Sequence, residues 1–275
     1  MQSLRLAPFF VVAMLSTASG PAFADDTLTT ARVLVTGQGE ENRAAAFARG
    51  FTDVLIKESG DPSLADDPAA AGLALNAAAA VNAFDYRDLM AGIPVHDEQG
   101  TRQRPFELTI AFDPAKIAAA LTALGRAPWA GPRPRLAVFV AIRNGDLRYV
   151  LASDGERGAD QRDSLAAAAW RYGMPLALPA TAALATAGLT PETVAAGDPS
   201  TLDAAGAGGD VALAGSLVWD DTALGWRAEW RFAGNGAVRT WQASGVSFDA
   251  AFRSGIAGAL QILSGHGDPR WGYPN

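Results

Sequence analysis

Residues 211–263 read VALAGSLVWDDTALGWRAEWRFAGNGAVRTWQASGVSFDAAFRSGIAGALQIL, and this stretch decides the fold class. Residues 211–219 are apolar on both faces, as a central strand should be. Trp226, Ala228, Trp230 and Phe232 then alternate with Arg227, Glu229 and Arg231, which gives a strand with one wet face. A third strand over 237–243 carries Arg239 and Trp241. A helix follows over 247–263, with Phe248, Phe252, Ile256, Leu260 and Leu263 at spacings of four and three. The pattern predicts an antiparallel three-strand meander covered by a terminal helix.

Upstream, residues 136–142 form an apolar strand, Asn144-Gly145 a hairpin turn and residues 147–152 a second strand. Residues 164–172 read as a helix stopped by Gly173 and Pro175, residues 176–178 as a short buried strand, and 190–206 as two short helical pieces. Residues 136–264 are therefore expected to be a C-terminal mixed-sheet α/β unit. The stretch 126–135 concentrates proline and glycine, which continue neither a helix nor a central strand, so it reads as a linker. Before it, residues 28–36 predict a strand with Ala31, Val33 and Val35 on one face. A helix over 42–58 carries Phe47, Phe51, Val54 and Leu55 in its stripe, with Arg43, Arg49, Asp53 and Lys57 largely off it. An alanine-rich helical stretch (68–81), a clear strand at 106–112 and a helix opened by Asp113-Pro114 complete an N-terminal α/β unit, residues 25–125. The fold class is α/β (α+β), in two small units. The final residues, 265–275, read as a turn-rich mobile tail.

The first residues give an address. Arg5, the apolar run Pro8 to Leu15 and Ala22-Phe23-Ala24 follow the order of a secretory signal, residues 1–24, with cleavage after Ala24. The run is too short to span a bilayer, which takes roughly 20 residues, so the mature chain is expected to be soluble, periplasmic and without a membrane span. There is no cysteine, which removes disulfides, thiolate metal sites and N-terminal lipidation. Loss of Arg5 with the signal takes the net charge from −7 to −8. An acidic chain whose only lysines are Lys57 and Lys116 is a poor candidate for nucleic acid.

None of the local motifs builds chemistry. Gly37-Gln-Gly39 sits where a phosphate loop could, but Glu40 and Glu41 would repel phosphate, and acids in a first helical turn suit the helix dipole. His96-Asp97-Glu98 are neighbours in a loop, whereas metal ligands come from separate elements. Asp66-Asp67 and Asp220-Asp221 read as turn residues, and Ser247 as a helix cap. No catalytic, cofactor-binding or metal residue is assigned, and no cofactor is expected. Two readings stand for Trp219, Trp226, Trp230 and Trp241: an exposed aromatic platform, or a sheet core beneath the last helix, which their regular spacing favours. Arg227, Glu229, Arg231 and Arg239 read together as a charged ladder on the other face and as the candidate partner surface.

With these residues in hand, the chain resembles an uncharacterised proteobacterial family, domain of unknown function 2066. The likeness covers most of the mature chain. It is carried by residues 44–57 followed by Ser59-Gly60-Asp61-Pro62, by 106–114, and by Pro128-Trp129 before Arg133-Pro134. Gly173-Met-Pro-Leu-Ala-Leu-Pro179 and residues 210–232, ending Trp226-Arg-Ala-Glu-Trp230, extend it; Gly208-Gly209-Asp210 departs from the pattern. The resemblance brings no activity, cofactor or catalytic residue. The second unit also looks like small α/β modules of envelope-assembly proteins, a likeness of fold alone. The functional expectation is a non-catalytic binding or scaffold module of the cell envelope, engaging a protein or glycan. The alternatives are a hydrolase of peptidoglycan or glycan using carboxylates brought together by folding, and a small-ligand carrier with a closed apolar pocket between the two units.

Overall fold

The computed structural model describes residues 27–269 except 94–95, 98–99, 102–103 and 235, with backbone alone for 96, 97, 100 and 101. The signal segment 1–24 with its cleavage site, the His96-Asp97-Glu98 side chains and the tail beyond 269 lie outside the described residues.

The first half is a three-stranded antiparallel sheet in the order β1 (Thr30–Thr36), β5 (Pro105–Phe112), β2 (Val81–Asp88). Between β2 and β5 lies a small hairpin of β3 (His96–Asp97) and β4 (Gly100–Thr101). Ala31, Val33 and Val35 of β1 face inward with Leu108, Ile110 and Phe112 of β5, as their alternation requires. They are covered by α1 (Glu40–Ser59), whose Phe47, Phe51, Val54 and Leu55 are buried as expected. Gly39 is the N-cap of α1, with Glu40 and Glu41 in its first turn. The alanine-rich stretch is α2 (Pro68–Ala74), capped by Asp67, followed by a 3₁₀ turn (Ala77–Ala80), and α3 (Pro114–Ala123) is capped by Asp113. Strand β2 was not expected: as an edge strand carrying Asn82, Asp85 and Asp88 it is mostly exposed and lacks a clean alternation.

The second half is a mixed six-stranded sheet with β11 (Ala237–Val246), β10 (Gly225–Gly234), β9 (Val211–Asp220), β6 (Leu136–Asn144) and β7 (Leu147–Val150) in that order; β8 (Leu176–Ala177) runs parallel to β6. β9–β10–β11 is the antiparallel meander, and β6 joins it in parallel through β9. One face carries α4 (Ala159–Arg171) and α7 (Phe248–Leu263), the other α5 (Thr181–Thr186) and α6 (Pro191–Ala196).

The tryptophans are core. Trp230 and Trp241 are buried beneath α7, and their indole N–H groups donate to the Ala251 and Ser254 carbonyls at 3.1 and 3.0 Å. A buried indole needs such an acceptor. Trp226 is also buried, while Trp219 is half-buried and donates to Asp221.

The proline- and glycine-rich stretch 126–135 is irregular in backbone but strapped to the body. Arg126 pairs with Asp61 at 2.8 Å, the Trp129 amide donates to the Glu58 carbonyl, and Arg133 donates to the carbonyls of Lys57 and Tyr172. The described part of the tail is held as well, through Gln261 to the His266 and Asp268 carbonyls and through the Arg239–Asp268 pair.

Candidate functional site

The expected ladder divides between the two faces of the meander. Arg227, Glu229 and Arg231 lie on the face away from α7. Arg231 is only 13 % exposed in its side chain, donating to the Val194 carbonyl at 2.7 Å, and Gln242 donates to Glu229. Arg239 stands opposite Phe232, on the α7 face with Trp241, where it pairs with Asp268 and donates to the Gly234 carbonyl. Register sets the side: Trp230 faces Trp241 across the β10–β11 ladder, so Arg239, two residues earlier, shares the Trp241 face. Arg231 is committed to α6 and Arg239 to the tail. Arg227 is left exposed, over a shallow hollow with Ser216, Val218, Glu229 and Gln242.

A denser set of charges lies where the two halves meet. Asp53 and Lys57 stand one turn apart on α1, Asp53 reaching Arg171 of α4 and Lys57 lying between the start of β1 and Trp170 of α4. Arg171, at the end of α4, donates from Nε and Nη2 to Asp53 Oδ1 at 2.9 and 2.7 Å. Burial raises the Asp53 carboxyl above its usual range, and Arg171, Lys57 and Arg49 pull it back only in part. Lys57 is 1 % exposed; its Nζ donates to the Thr27 and Thr30 carbonyls at 3.0 and 2.7 Å and lies 3.8 Å from the centre of the Trp170 ring. The Arg32 guanidinium lies 4.3 Å from the same ring. Burial lowers Lys57 from 10.5 to about 7; Asp53 works against that shift, and Arg133 and Arg32 add to it.

Above this junction opens a cleft of about 490 Å³ between β1, α1, α4 and the first turns of α7. Its charged lining is Arg32, Arg49, Asp53, Glu107, Arg171, Asp249 and Arg253. Several of these are engaged: Asp53 with Arg171, Glu107 with Arg87, and Asp249 with the Ser164 hydroxyl. Arg49 and Arg253 make no hydrogen bond or ion pair among the described residues. Burial lowers the Arg253 pKa, as does its neighbour Arg171. Asp249 and Asp53 act against that shift, and the lining sets Arg32, Arg49, Arg171 and Arg253 against Asp53, Glu107 and Asp249, an excess of guanidinium. Preorganised cations in a partly desolvated cleft attract an anion more strongly than the same groups do in water. On the far side of the Asp53–Arg171 pair a second cleft runs between α1, α2 and Tyr172.

The sequence reading missed this constellation. Its signals were present but weak: Asp53–Lys57 and Asp249–Arg253 are both acid-to-base pairs four residues apart, and Asp249 and Arg253 are the only charges on an otherwise apolar helix. Asp66-Asp67 and Asp220-Asp221 do sit in turns and caps, and Ser247 caps α7.

Comparison with known proteins gives a single finding. Residues 22–130 match the model of a domain of unknown function (DUF8605). The match covers less than half of the 275 residues, from the end of the signal-like segment into the proline-rich strap. No curated protein and no solved structure matches the chain. DUF8605 is a different family from domain of unknown function 2066, so that resemblance is withdrawn. The stretches that suggested it are those that packing dictates: a glycine helix stop, an alternating strand before Asp-Pro, and an aromatic hairpin strand. Unrelated α/β chains produce such patterns independently. As a domain of unknown function, DUF8605 brings no activity, and its match includes Arg32, Arg49, Asp53 and Lys57 but not Trp170, Arg171 or Arg253.

Proposed function

We propose that the mature chain is a non-catalytic binding or scaffold module of the bacterial cell envelope, exported to the periplasm, and that it holds a negatively charged partner in the cleft between β1, α1, α4 and α7. One observation carries this reading: Arg49 and Arg253 line that cleft with no side-chain hydrogen bond or ion pair among the described residues, in a chain whose net charge is −7. A chain with that net charge repels anions at long range, so a local excess of guanidinium favours selective close contact over non-specific adhesion. The charged lining does not suit a carrier of apolar ligands, which needs an apolar enclosure.

The test is thermal melting of residues 25–275 with pentaglutamate or pentalysine. Pentaglutamate is expected to raise the midpoint, the shift fading as salt screens the charges and disappearing in the Arg49→Glu/Arg253→Glu double variant. No shift, or an equal shift with pentalysine, overturns the proposal. The hydrolase alternative draws on Asp53 and Asp249, which reach one cleft from α1 and α7 with burial raising the first. Against it, a single oxygen of Asp53 already takes two donors from Arg171, which holds that carboxylate as an ion-pair partner. Turnover of purified peptidoglycan that is lost in both Asp53→Asn and Asp249→Asn would move the assignment to it.

A further inference from the structure

One wall of the cleft is the free edge of a sheet. Among the described residues β1 pairs only with β5, and its other side faces the cleft. The Gly37 amide donates to the Arg104 carbonyl and the Phe112 amide to the Thr29 carbonyl. The antiparallel ladder therefore engages the odd-numbered residues of β1, and the even-numbered ones point their main-chain groups outward. Both ends of this outer edge are closed: the Thr30 carbonyl accepts from Lys57, and the Thr36 carbonyl accepts from Asn42 at 2.6 Å. Between them, the N–H and C=O groups of Arg32 and Leu34 make no hydrogen bond among the described residues. Leu34 is 62 % exposed beside them. Natural sheets usually blunt such an edge with charged side chains, a proline or a bulge; Arg32 is a charge, but its guanidinium lies over the Trp170 ring, and Leu34 supplies none of these.

Building on the proposed anion-binding role of the cleft, we infer that the outer edge of β1 takes up an extended acidic peptide segment of a partner protein as a fourth strand, its main chain bonding to Arg32 and Leu34 and its carboxylates meeting Arg49 and Arg253. In an added strand, side chains alternate between the two faces of the sheet. Those opposite Val33 project to the α1 face, where Arg49 stands; those opposite Leu34 share the other face of the sheet, with Leu34, Arg32 and Glu107. The occupant is thus a stretch with an acid at every second position, towards Arg49, and between them apolar side chains that cover the exposed Leu34. A second copy of this chain is a poor occupant by charge: β1 reads TARVLVT, with an arginine and no acid, so pairing β1 with β1 supplies no carboxylate to the cleft.

The experiment uses residues 25–275 and a fluorescein-labelled heptapeptide of alternating valine and glutamate. Binding is read by anisotropy and by amide hydrogen exchange. Binding is expected, with new protection of the Arg32 and Leu34 amides. Affinity should fall at least tenfold when alternate peptide amides are N-methylated, which keeps the charge and removes the edge donors. Leu34→Pro should cost a similar factor, because the Leu34 N–H points away from β5 and proline is tolerated at such an edge position. Should that variant fail to fold, the N-methylated peptide and the exchange data on the unsubstituted protein decide alone. Equal binding of the N-methylated peptide with no new protection overturns strand addition, while the anion-binding reading survives. Equal binding of an alternating valine–lysine peptide overturns the acidic specificity. A folded protein that binds neither this heptapeptide nor pentaglutamate overturns both readings.

Discussion

Lys57 is the residue on which the junction of the two halves turns. Its side chain is buried, its ammonium is held by the Thr27 and Thr30 carbonyls and the Trp170 ring, and burial brings it to about 7. In the unfolded chain a lysine titrates at about 10.4. Between those two values the unfolded chain binds the extra proton, so stability rises with pH across that window; below 7 both states are protonated and the full cost of the buried charge is carried. One proton corresponds to a slope of at most about 1.4 kcal/mol per pH unit. Urea titrations from pH 6.5 to 9.5 should show this climb in the parent chain and its loss in Lys57→Met; identical slopes would mean that Lys57 does not titrate in the window. The sequence placed Asp53 and Lys57 off the apolar stripe of α1, which is correct, but off the stripe is not the same as in water. A helix wedged between two layers buries a second face, and a single apolar moment does not register it.

Among the elements, α7 shows how shape adds to hydrophobicity. Gly255 and Gly258 face the sheet, and a Cβ on them would stand 2.5 Å from the Trp230 ring and 2.4 Å from the Trp241 ring. The indoles therefore fill space that the helix leaves by lacking side chains there. Replacing a helical glycine by alanine gains about 1 kcal/mol in propensity, whereas overpacking a rigid core site costs roughly 1–3 kcal/mol. Gly258→Ala should lower stability, since the atoms it meets belong to a rigid ring. Gly72→Ala in α2, where nothing lies within 4 Å, should raise it by up to about 1 kcal/mol. Parallel urea melts that moved both variants the same way would sink the packing argument. The meander, its helix and the burial of Trp230 and Trp241 were legible because alternation and helical spacing report burial directly. β2 and the true side of Arg239 were not: an edge strand needs little apolar alternation, and the side of a residue depends on a register set by its neighbours.

At the scale of the molecule, the strap 126–135 lies against the ends of α1 and α4, where a free linker would stand clear of both. Buried side chains from Ala31 in β1 to Ile262 in α7 form one contiguous cluster, with Trp129 of the strap packed against it. Polar ties cross the same boundary: Asp53–Arg171, Arg133 to the Lys57 carbonyl, and the Ser264 hydroxyl to the Gly60 carbonyl at 2.7 Å. Neither half can open fully without exposing apolar surface of the other, so the two should unfold as one cooperative unit. The tryptophans allow a clean test, since residues 25–128 contain none. Indole fluorescence reports the strap and the second half, while amide exchange at Leu108 and Ile110 of β5 reports the first. The urea midpoint of the fluorescence should coincide with that of far-UV circular dichroism. The opening free energy of the β5 amides should match that of Leu213 and Leu217 in β9. A lower opening energy confined to β5 would make the first half a separate folding unit, and the strap would then be a tether after all.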